Sequence, residues 1–172
     1  MFMDRKEIHY TEGGNPSNQL AIVLKLAFHE QPVCVAVTHL KAKAFPAERL
    51  QQGQQLTAIL NSFAQGAPII VCGDFNAVPT EPVYQHMLFH SGANLASAYC
   101  IALKEEPSFT SWKFRPGKEL RYTIDYIWYS SDGLALDSVL GLPSAEEIGP
   151  DALPMLLYPS DHLALCAKFS LL

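Results

Sequence analysis

A carboxylate and a carboxamide that could act together follow a short segment of apolar and small residues that has no alternating polar side chains. Asp74 and Asn76 come directly after residues 69–73 and are two positions apart. Residues two apart in an extended chain project to the same side, so a carboxylate and a carboxamide would face one point. An isolated Asp-x-Asn also forms ordinary Asx turns, and that alternative stays open here. The other polar residues of the chain help to decide between a functional pair and an ordinary turn.

A second carboxylate lies within the apolar and aromatic segment 122–129, at Asp125. A buried carboxylate without a partner costs several kcal/mol, and His162 is the candidate partner. An Asp–His pair fixes the tautomer of the imidazole and raises its basicity, so the ring can stay protonated near a phosphate. The alternative is that Asp125 caps a backbone turn and that His162 is a surface residue.

Further polar and cationic residues stand at other segment ends. His39 ends an apolar segment and precedes Lys41 and Lys43, Arg115 lies in a Pro-Gly turn, and Asp161 precedes His162. The formal net charge is -5, so no general basic surface indicates nucleic-acid binding. An anionic substrate would therefore need a local group of cations or a metal ion.

The elements that position these residues are predicted from periodicity and turn residues. Helices are expected at 46–63 and 81–90, and residues 1–19, 91–107 and 141–159 are expected to be irregular. Strands are expected at 20–28, 33–40, 69–73, 109–114, 122–129, 134–140 and 163–171. Strands that outnumber helices indicate an α/β fold built on a mixed sheet with helices on one face.

Length and composition limit the class of protein. The chain has 172 residues, of which 49% are hydrophobic, which fits one globular domain. Its four cysteines are widely spaced, so neither a zinc site nor a disulfide framework is indicated, and a reducing intracellular compartment is expected. No apolar segment has the length of a membrane span, and the first residues do not form a signal peptide.

Four motifs, in order along the chain, resemble those of the endonuclease/exonuclease/phosphatase superfamily. The likeness runs from about residue 20 to the C-terminus, and residues 111–115 (Ser-Trp-Lys-Phe-Arg) are most similar to the branch that holds the CCR4-type deadenylases. One motif alone would be weak, whereas the ordered set is specific. The four motifs are Thr38-His39-Leu40-Lys41-Ala42, Gly73-Asp74-Phe75-Asn76, Thr123-Ile124-Asp125-Tyr126-Ile127-Trp128 and Tyr158-Pro159-Ser160-Asp161-His162.

The resemblance implies a role for each matching catalytic position. Asp74 matches the residue that orients or deprotonates the attacking water, and Asn76 matches one that hydrogen-bonds the scissile phosphate or the nucleophile. Asp125 and His162 match a buried pair whose histidine stabilises charge on the phosphate or the leaving group. His39 matches a histidine that contacts the phosphate.

The resemblance also implies binding residues. Asp161 matches a residue close to a magnesium ion, and Lys41, Lys43 and Arg115 match cations that bind the phosphates of the substrate. Members of the branch usually carry arginine where this chain has Lys43, and a bidentate phosphate contact would be weakened there. Mg2+ suits this chemistry because it takes oxygen ligands and neutralises phosphate charge.

Relatives fold as a two-sheet α/β sandwich, of which this chain is expected to form part. Their earlier segments hold an asparagine and a glutamate that is the principal magnesium ligand, and nothing here matches either. Asp4, Glu7 and Glu12 lie in polar, loop-like sequence. Residues 1–172 are therefore expected to be a single C-terminal part of such a domain, with weak magnesium binding and slow or absent hydrolysis. An apolar sheet face left unpaired would favour a dimer or strand exchange.

The substrate stays open at this point. The resemblance implies either removal of the 2'-phosphate from NADP(H) or 3'-to-5' hydrolysis of poly(A) RNA, and the negative charge slightly favours the small molecule. A related nuclease, or a lipid or inositol phosphatase, is a further possibility. The non-enzymatic alternative is an inactive module that keeps the fold in order to bind a partner. A cytoplasmic location is implied, or a mitochondrial one if a longer N-terminus exists.

Overall fold

The main sheet of the computed structural model, which describes all residues 1–172, has six strands. They are β1 (Phe2–Glu12), β2 (Asn15–Phe28), β3 (Gln31–His39), β4 (Ile69–Asp74), β5 (Leu95–Ser97) and β8 (Asp125–Ser130). Their spatial order is β1-β2-β3-β4-β8-β5. Strands β3 and β4 are parallel, and every other neighbouring pair is antiparallel. The expected mixed sheet is confirmed.

Two small antiparallel sheets and four helices complete the fold. One small sheet pairs β6 (Ser111–Arg115) with β7 (Lys118–Tyr122), and the other pairs β9 (Leu134–Val139) with β10 (Ala167–Leu171). The helices are α1 (Pro46–Ala64), α2 (Pro82–Phe89), α3 (Ala98–Leu103) and α4 (Ala145–Ile148).

The largest core lies between the main sheet and the two longest helices. Leu56 and Leu60 of α1 and Met87 of α2 pack in one cluster with Val71 and Trp128 of the sheet. Because neighbouring strand residues face opposite sides, the intervening residues of β8 belong to a second core that includes α3 and β9. The long helices thus lie on one face, as expected, while α3 and the β9–β10 sheet cover part of the other.

The structure differs from the sequence prediction mainly at segments with little apolar periodicity. Residues 1–19 form β1 and the start of β2 rather than a loop. The sequence gives little sign of this strand, because β1 buries only Ile8 and Tyr10 and its other side chains stay in or near solvent. The segment 91–107 contains β5 and α3. The 141–159 segment contains α4, which begins with a capping box between Ser144 and Glu147. None of the helices combines the length and apolar content that crossing a membrane would require.

The face of β2 and β3 that turns away from α1 is apolar and exposed. Ile22 and Val37 are direct cross-strand partners and are 44% and 56% exposed. Exposed apolar patches favour association, so self-association through this face stays a prediction. Replacing both residues by threonine, which keeps the β-branched shape, should lower the sedimentation coefficient at high protein concentration.

The matched control for this prediction is Leu156→Thr, since Leu156 is 98% exposed but lies in a loop outside the strands of the sheet. That variant should sediment like the parent chain. A parent chain that sediments as a monomer at every concentration would contradict the expectation.

Candidate functional site

Three site residues lie side by side on neighbouring strands of the main sheet. His39 at the end of β3 is in register with Asp74 at the end of β4, and Asp74 is in register with Asp125 at the start of β8. The antiparallel direction of β8 brings its first residue to the edge where β3 and β4 end. The Nε2 atom of His39 lies 3.5 Å from Oδ2 of Asp74.

The chain bends sharply after Asp74, and this bend places Asn76. The backbone N–H of Asn76 donates to Oδ1 of Asp74 at 2.7 Å, and its side-chain amide donates to the carbonyl of Leu40 at 3.0 Å. Asn76 has a positive φ of 49°, which asparagine tolerates better than most residues. The Asx turn and the grouping of polar residues therefore coexist, since one carboxylate oxygen of Asp74 caps the turn and the other faces His39.

Asp125 and His162 are brought together despite lying on separate elements. Nδ1 of His162 is 2.9 Å and 3.1 Å from the two carboxylate oxygens of Asp125. A third residue, Thr110, holds the carboxylate in place by donating its hydroxyl to Oδ2 of Asp125 at 2.7 Å. The same hydroxyl oxygen accepts the backbone N–H groups of Ile124 and Asp125 at 3.0 Å each.

Sequence reasoning missed Thr110. It is fully buried, and it lies just before β6 within a segment interpreted only as a strand. The available signal was a hydroxyl between apolar Phe109 and the Ser-Trp-Lys-Phe-Arg motif, in a place where a buried hydroxyl needs partners. Its three hydrogen bonds supply them.

Asp74, Asp125 and His162 each offer a ligand atom, and these atoms lie within 4.8 Å of one another. Two carboxylates match the oxygen ligands that Mg2+ prefers, and Mg2+ commonly keeps several waters beside one or two carboxylates. The donor chemistry therefore fits a divalent cation held by one or both aspartates. Nδ1 of His162 is already engaged with Asp125.

Burial and mutual repulsion shape the protonation of this cluster. Burial raises the pKa of the Asp74 carboxyl, and the nearby charge of Asp125 raises it further. The hydrogen bond that His162 donates to Asp125 raises the pKa of His162 above its ordinary value, against an opposing effect of burial. The raised pKa of Asp74 favours proton acceptance by its carboxylate, and the raised pKa of His162 favours the imidazolium, which can stabilise negative charge nearby.

Replacing Asp125 with asparagine should return the pKa of His162 toward the ordinary imidazole value. The neutral amide keeps the shape of the carboxyl but removes the charge that favours the imidazolium. A raised folded pKa contributes stability below the unfolded pKa of about 6.5, and this contribution is lost as the pH rises through the folded pKa. The free energy of unfolding of the parent should therefore exceed that of the variant most near pH 6, and this difference should decrease at higher pH.

The measurement is a proton NMR titration of the His162 ring together with urea unfolding at several pH values. The matched control is Asp132→Asn, because Asp132 is bound by Asn94 at the surface and lies outside the site. An unchanged His162 titration in Asp125→Asn would show that the pairing does not control the imidazole.

The predicted cations do not converge on one point. Nζ of Lys41 pairs with Glu12 at 2.9 Å, in a network that also includes Gln52 and Ser17. Glu12 was expected in a loop, and it lies instead at the end of β1. Lys41 is therefore neutralised within the chain.

Lys43 and Arg115 border two different cavities. A cavity of about 520 Å³ includes Lys43 and Asn76, whereas a cavity of about 310 Å³ includes Arg115 and Asp161. Lys113 lines both and pairs with Asp161 at 2.6 Å, which holds the pKa of the Asp161 carboxyl below its usual value.

Comparison with known proteins identifies the relatives of this chain. The model of the Endonuclease/Exonuclease/phosphatase family matches residues 5–162. Nocturnin of Xenopus laevis is 48% identical over 162 residues, which cover 90% of this chain and 42% of the frog protein. The Ccr4 3'-5'-exoribonuclease subunit of the CCR4-Not complex from Coccidioides immitis is 34% identical over 131 residues, covering 63% of this chain and 17% of that protein.

A solved structure agrees with the sequence comparison. The catalytic domain of human nocturnin, determined with a bound sulfate anion, superposes with a TM-score of 0.81 at 38% identity and covers 100% of this chain. This chain covers 60% of that domain. The chain therefore spans less than half of its nocturnin relative from frog and somewhat more than half of the human catalytic domain.

Proposed function

This chain belongs to the endonuclease/exonuclease/phosphatase family, and on that premise we propose that it is the C-terminal part of a magnesium-dependent phosphoester hydrolase similar to nocturnin. The observation that carries the proposal is the grouping of Asp74, Asp125 and His162 within 4.8 Å. His39 and Asn76 adjoin this group through Asp74. No packing requirement explains so many polar side chains at one edge of a buried sheet.

In the proposed reaction, Asp74 orients the attacking water and accepts its proton. The raised pKa of Asp74 supports this role, because a general base works best when its pKa approaches the working pH. One oxygen of Asp74 is fixed by the backbone N–H of Asn76, which leaves the second oxygen for the water. Mg2+ would be held by Asp125 while Asp74 serves the water, and it would neutralise charge on the phosphate.

His162 is proposed to stabilise negative charge on the phosphate or the leaving group. Its Nδ1 atom is engaged by Asp125, so in the imidazolium form the Nε2–H is the donor that remains for substrate. Thr110 keeps Asp125 in position and thereby fixes the direction of the ring. His39 and the second amide hydrogen of Asn76 are proposed to contact the phosphate oxygens.

We favour NADP(H), losing its 2'-phosphate, as the substrate. The net charge of -5 provides no extended basic path for a polynucleotide. The alternative is poly(A), supported by the likeness to the Ccr4 exoribonuclease subunit. A related phosphatase or nuclease substrate would be a third outcome.

The test measures phosphate release from NADPH beside AMP release from oligo(A), each with Mg2+ and with EDTA. We expect slow, magnesium-dependent phosphate release from NADPH that exceeds AMP release. AMP release alone would favour the exoribonuclease reaction. Full-rate turnover by these 172 residues would show that the expected weakness in magnesium binding is wrong.

A second candidate function is an inactive binding module. It is favoured by two ion pairs that neutralise expected site residues, Lys41 with Glu12 and Lys113 with Asp161. Calorimetric titration with Mg2+ and NADP+ separates the two candidates. Nucleotide binding without any turnover in the assay above would support the module.

A further inference from the structure

The β6–β7 hairpin presents one face to the 520 Å³ cavity. Directly opposite residues of an antiparallel pair lie on the same face, and the pairs Ser111–Tyr122 and Lys113–Leu120 are directly opposite. All four residues line the cavity, as does Lys118 at the start of β7. Asn76 also lines this cavity, so the cavity borders the proposed catalytic site.

The charges around this cavity do not balance. Arg49 is buried and bound to Glu81, with Nε 3.0 Å from the carboxylate, and Lys113 is bound to Asp161. The ammonium groups of Lys43 and Lys118 have no hydrogen-bond or ion-pair partner in the structure. These two lysines lie on opposite elements, the β3–α1 loop and the hairpin, and they leave a surplus of positive charge between them.

A buried hydroxyl in the same cavity has no partner either. Ser111 is 1% exposed, and its Oγ atom makes no hydrogen bond. A buried polar atom left without a partner costs free energy, and native proteins retain few of them. An anionic oxygen entering the cavity would satisfy it.

The hairpin that carries these groups is held firmly. The guanidinium of Arg121 lies 4.4 Å from the ring centre of Phe109 and 4.5 Å from that of Trp112. The indole N–H of Trp112 donates to Glu119 at 2.7 Å. Both contacts lie on the face away from the cavity. They hold the hairpin rigid, so Lys118 is positioned before any ligand binds.

We propose that Lys118, Lys43 and Ser111 form a second anion subsite beside the proposed catalytic group. This inference rests on the proposed function and specifies its substrate class. The subsite holds a phosphate or pyrophosphate group that the substrate retains while another phosphoester is cleaved at Asp74. Nucleotides with more than one phosphate group are therefore preferred over simple phosphomonoesters. Leu120 and Tyr122 offer an apolar wall for the attached nucleoside.

The first test is calorimetric titration of the chain with inorganic pyrophosphate. Lys118→Met should weaken binding about tenfold, because it removes a charge-assisted contact while keeping an unbranched side chain. Lys168→Met is the matched control, since Lys168 is an exposed lysine on β10, and it should bind like the parent. No binding by the parent, or equal binding by the parent and Lys118→Met, would overturn the subsite.

A second variant separates binding from folding. Ser111→Ala removes a hydroxyl that has no partner in the folded protein, so its stability should equal or exceed that of the parent. Its affinity for pyrophosphate should still fall severalfold. A variant that binds pyrophosphate as tightly as the parent would show that Ser111 is not part of the subsite.

Binding measurements with three different ligands show which kind of molecule supplies the retained phosphate. Lys118→Met should weaken NADP+ binding about tenfold and leave 2'-AMP, which has one phosphate, unchanged. If Lys118→Met lost affinity for oligo(A) to the same extent and kept its affinity for NADP+, the subsite would be assigned to a polynucleotide backbone. An equal loss with 2'-AMP would overturn the assignment to a retained phosphate. A chain that binds pyrophosphate in this manner but hydrolyses nothing would favour the binding module over the hydrolase and leave the subsite standing.

Discussion

The variant Asp74→Asn should release phosphate from NADPH at least about a thousandfold more slowly than the parent chain, within the range that general bases contribute. Asparagine preserves the size of the side chain and an oxygen that can accept the N–H of Asn76, which the parent places at 2.7 Å. It cannot accept a proton from water at neutral pH. The loss should therefore appear in kcat, with little change in nucleotide binding.

The same variant should be more stable than the parent at pH 7. Burial and the neighbouring Asp125 raise the pKa of Asp74, so folding disfavours its charged form. Stability linked to a raised pKa is present below the unfolded pKa of about 4 and is lost as the pH rises through the folded pKa. Asparagine removes the cost of holding that charge, so the advantage of the variant should vanish below about pH 4.

Urea unfolding at several pH values, in the presence of EDTA, measures this effect. Asp151→Asn is the matched control, because Asp151 is an exposed carboxylate in the loop after α4, and it should change neither activity nor stability. A less active Asp74→Asn variant that is also less stable would indicate that Asp74 chiefly supports the turn.

The sequence predicted the strongly apolar elements well, for a physical reason. Strand β8 buries five consecutive residues, which gives a continuous apolar segment, and helix α1 buries side chains at helical spacing, which gives a visible period. Strand β1 escaped prediction because only Ile8 and Tyr10 contribute to the core. Edge strands with few buried residues carry little periodic signal.

The sequence predicted the pairing of Asp125 with His162, but not the other contacts within the candidate site. Motif order pointed to Asp74, Asp125 and His162, and burial cost suggested the Asp–His pair. The strand register that aligns His39 with Asp74 depends on contacts distant in sequence. The pairing of Lys41 with Glu12 spans 29 positions, and no local pattern indicates it.

The register itself depends on Gly73, and Gly73→Ala should destabilise the fold by about 3–5 kcal/mol. Gly73 has a positive φ of 149°, and a Cβ atom there would lie 1.9 Å from the backbone oxygen of Thr38. The backbone of Thr38 is fixed within β3 and cannot move aside as a flexible side chain could. Accommodating the methyl group would push β4 away from β3 and separate Asp74 from His39.

Two other glycines allow the steric effect to be isolated by urea unfolding. Gly66 also has a positive φ, at 86°, but a Cβ atom there would meet nothing within 4 Å, so Gly66→Ala should cost only about 1–2 kcal/mol of conformational strain. Gly141 has open space and no positive φ, so alanine there should be neutral or slightly stabilising. If Gly73→Ala cost no more than Gly66→Ala, the two strands would tolerate a wider spacing. The close β3–β4 contact would then not be what holds His39 beside Asp74.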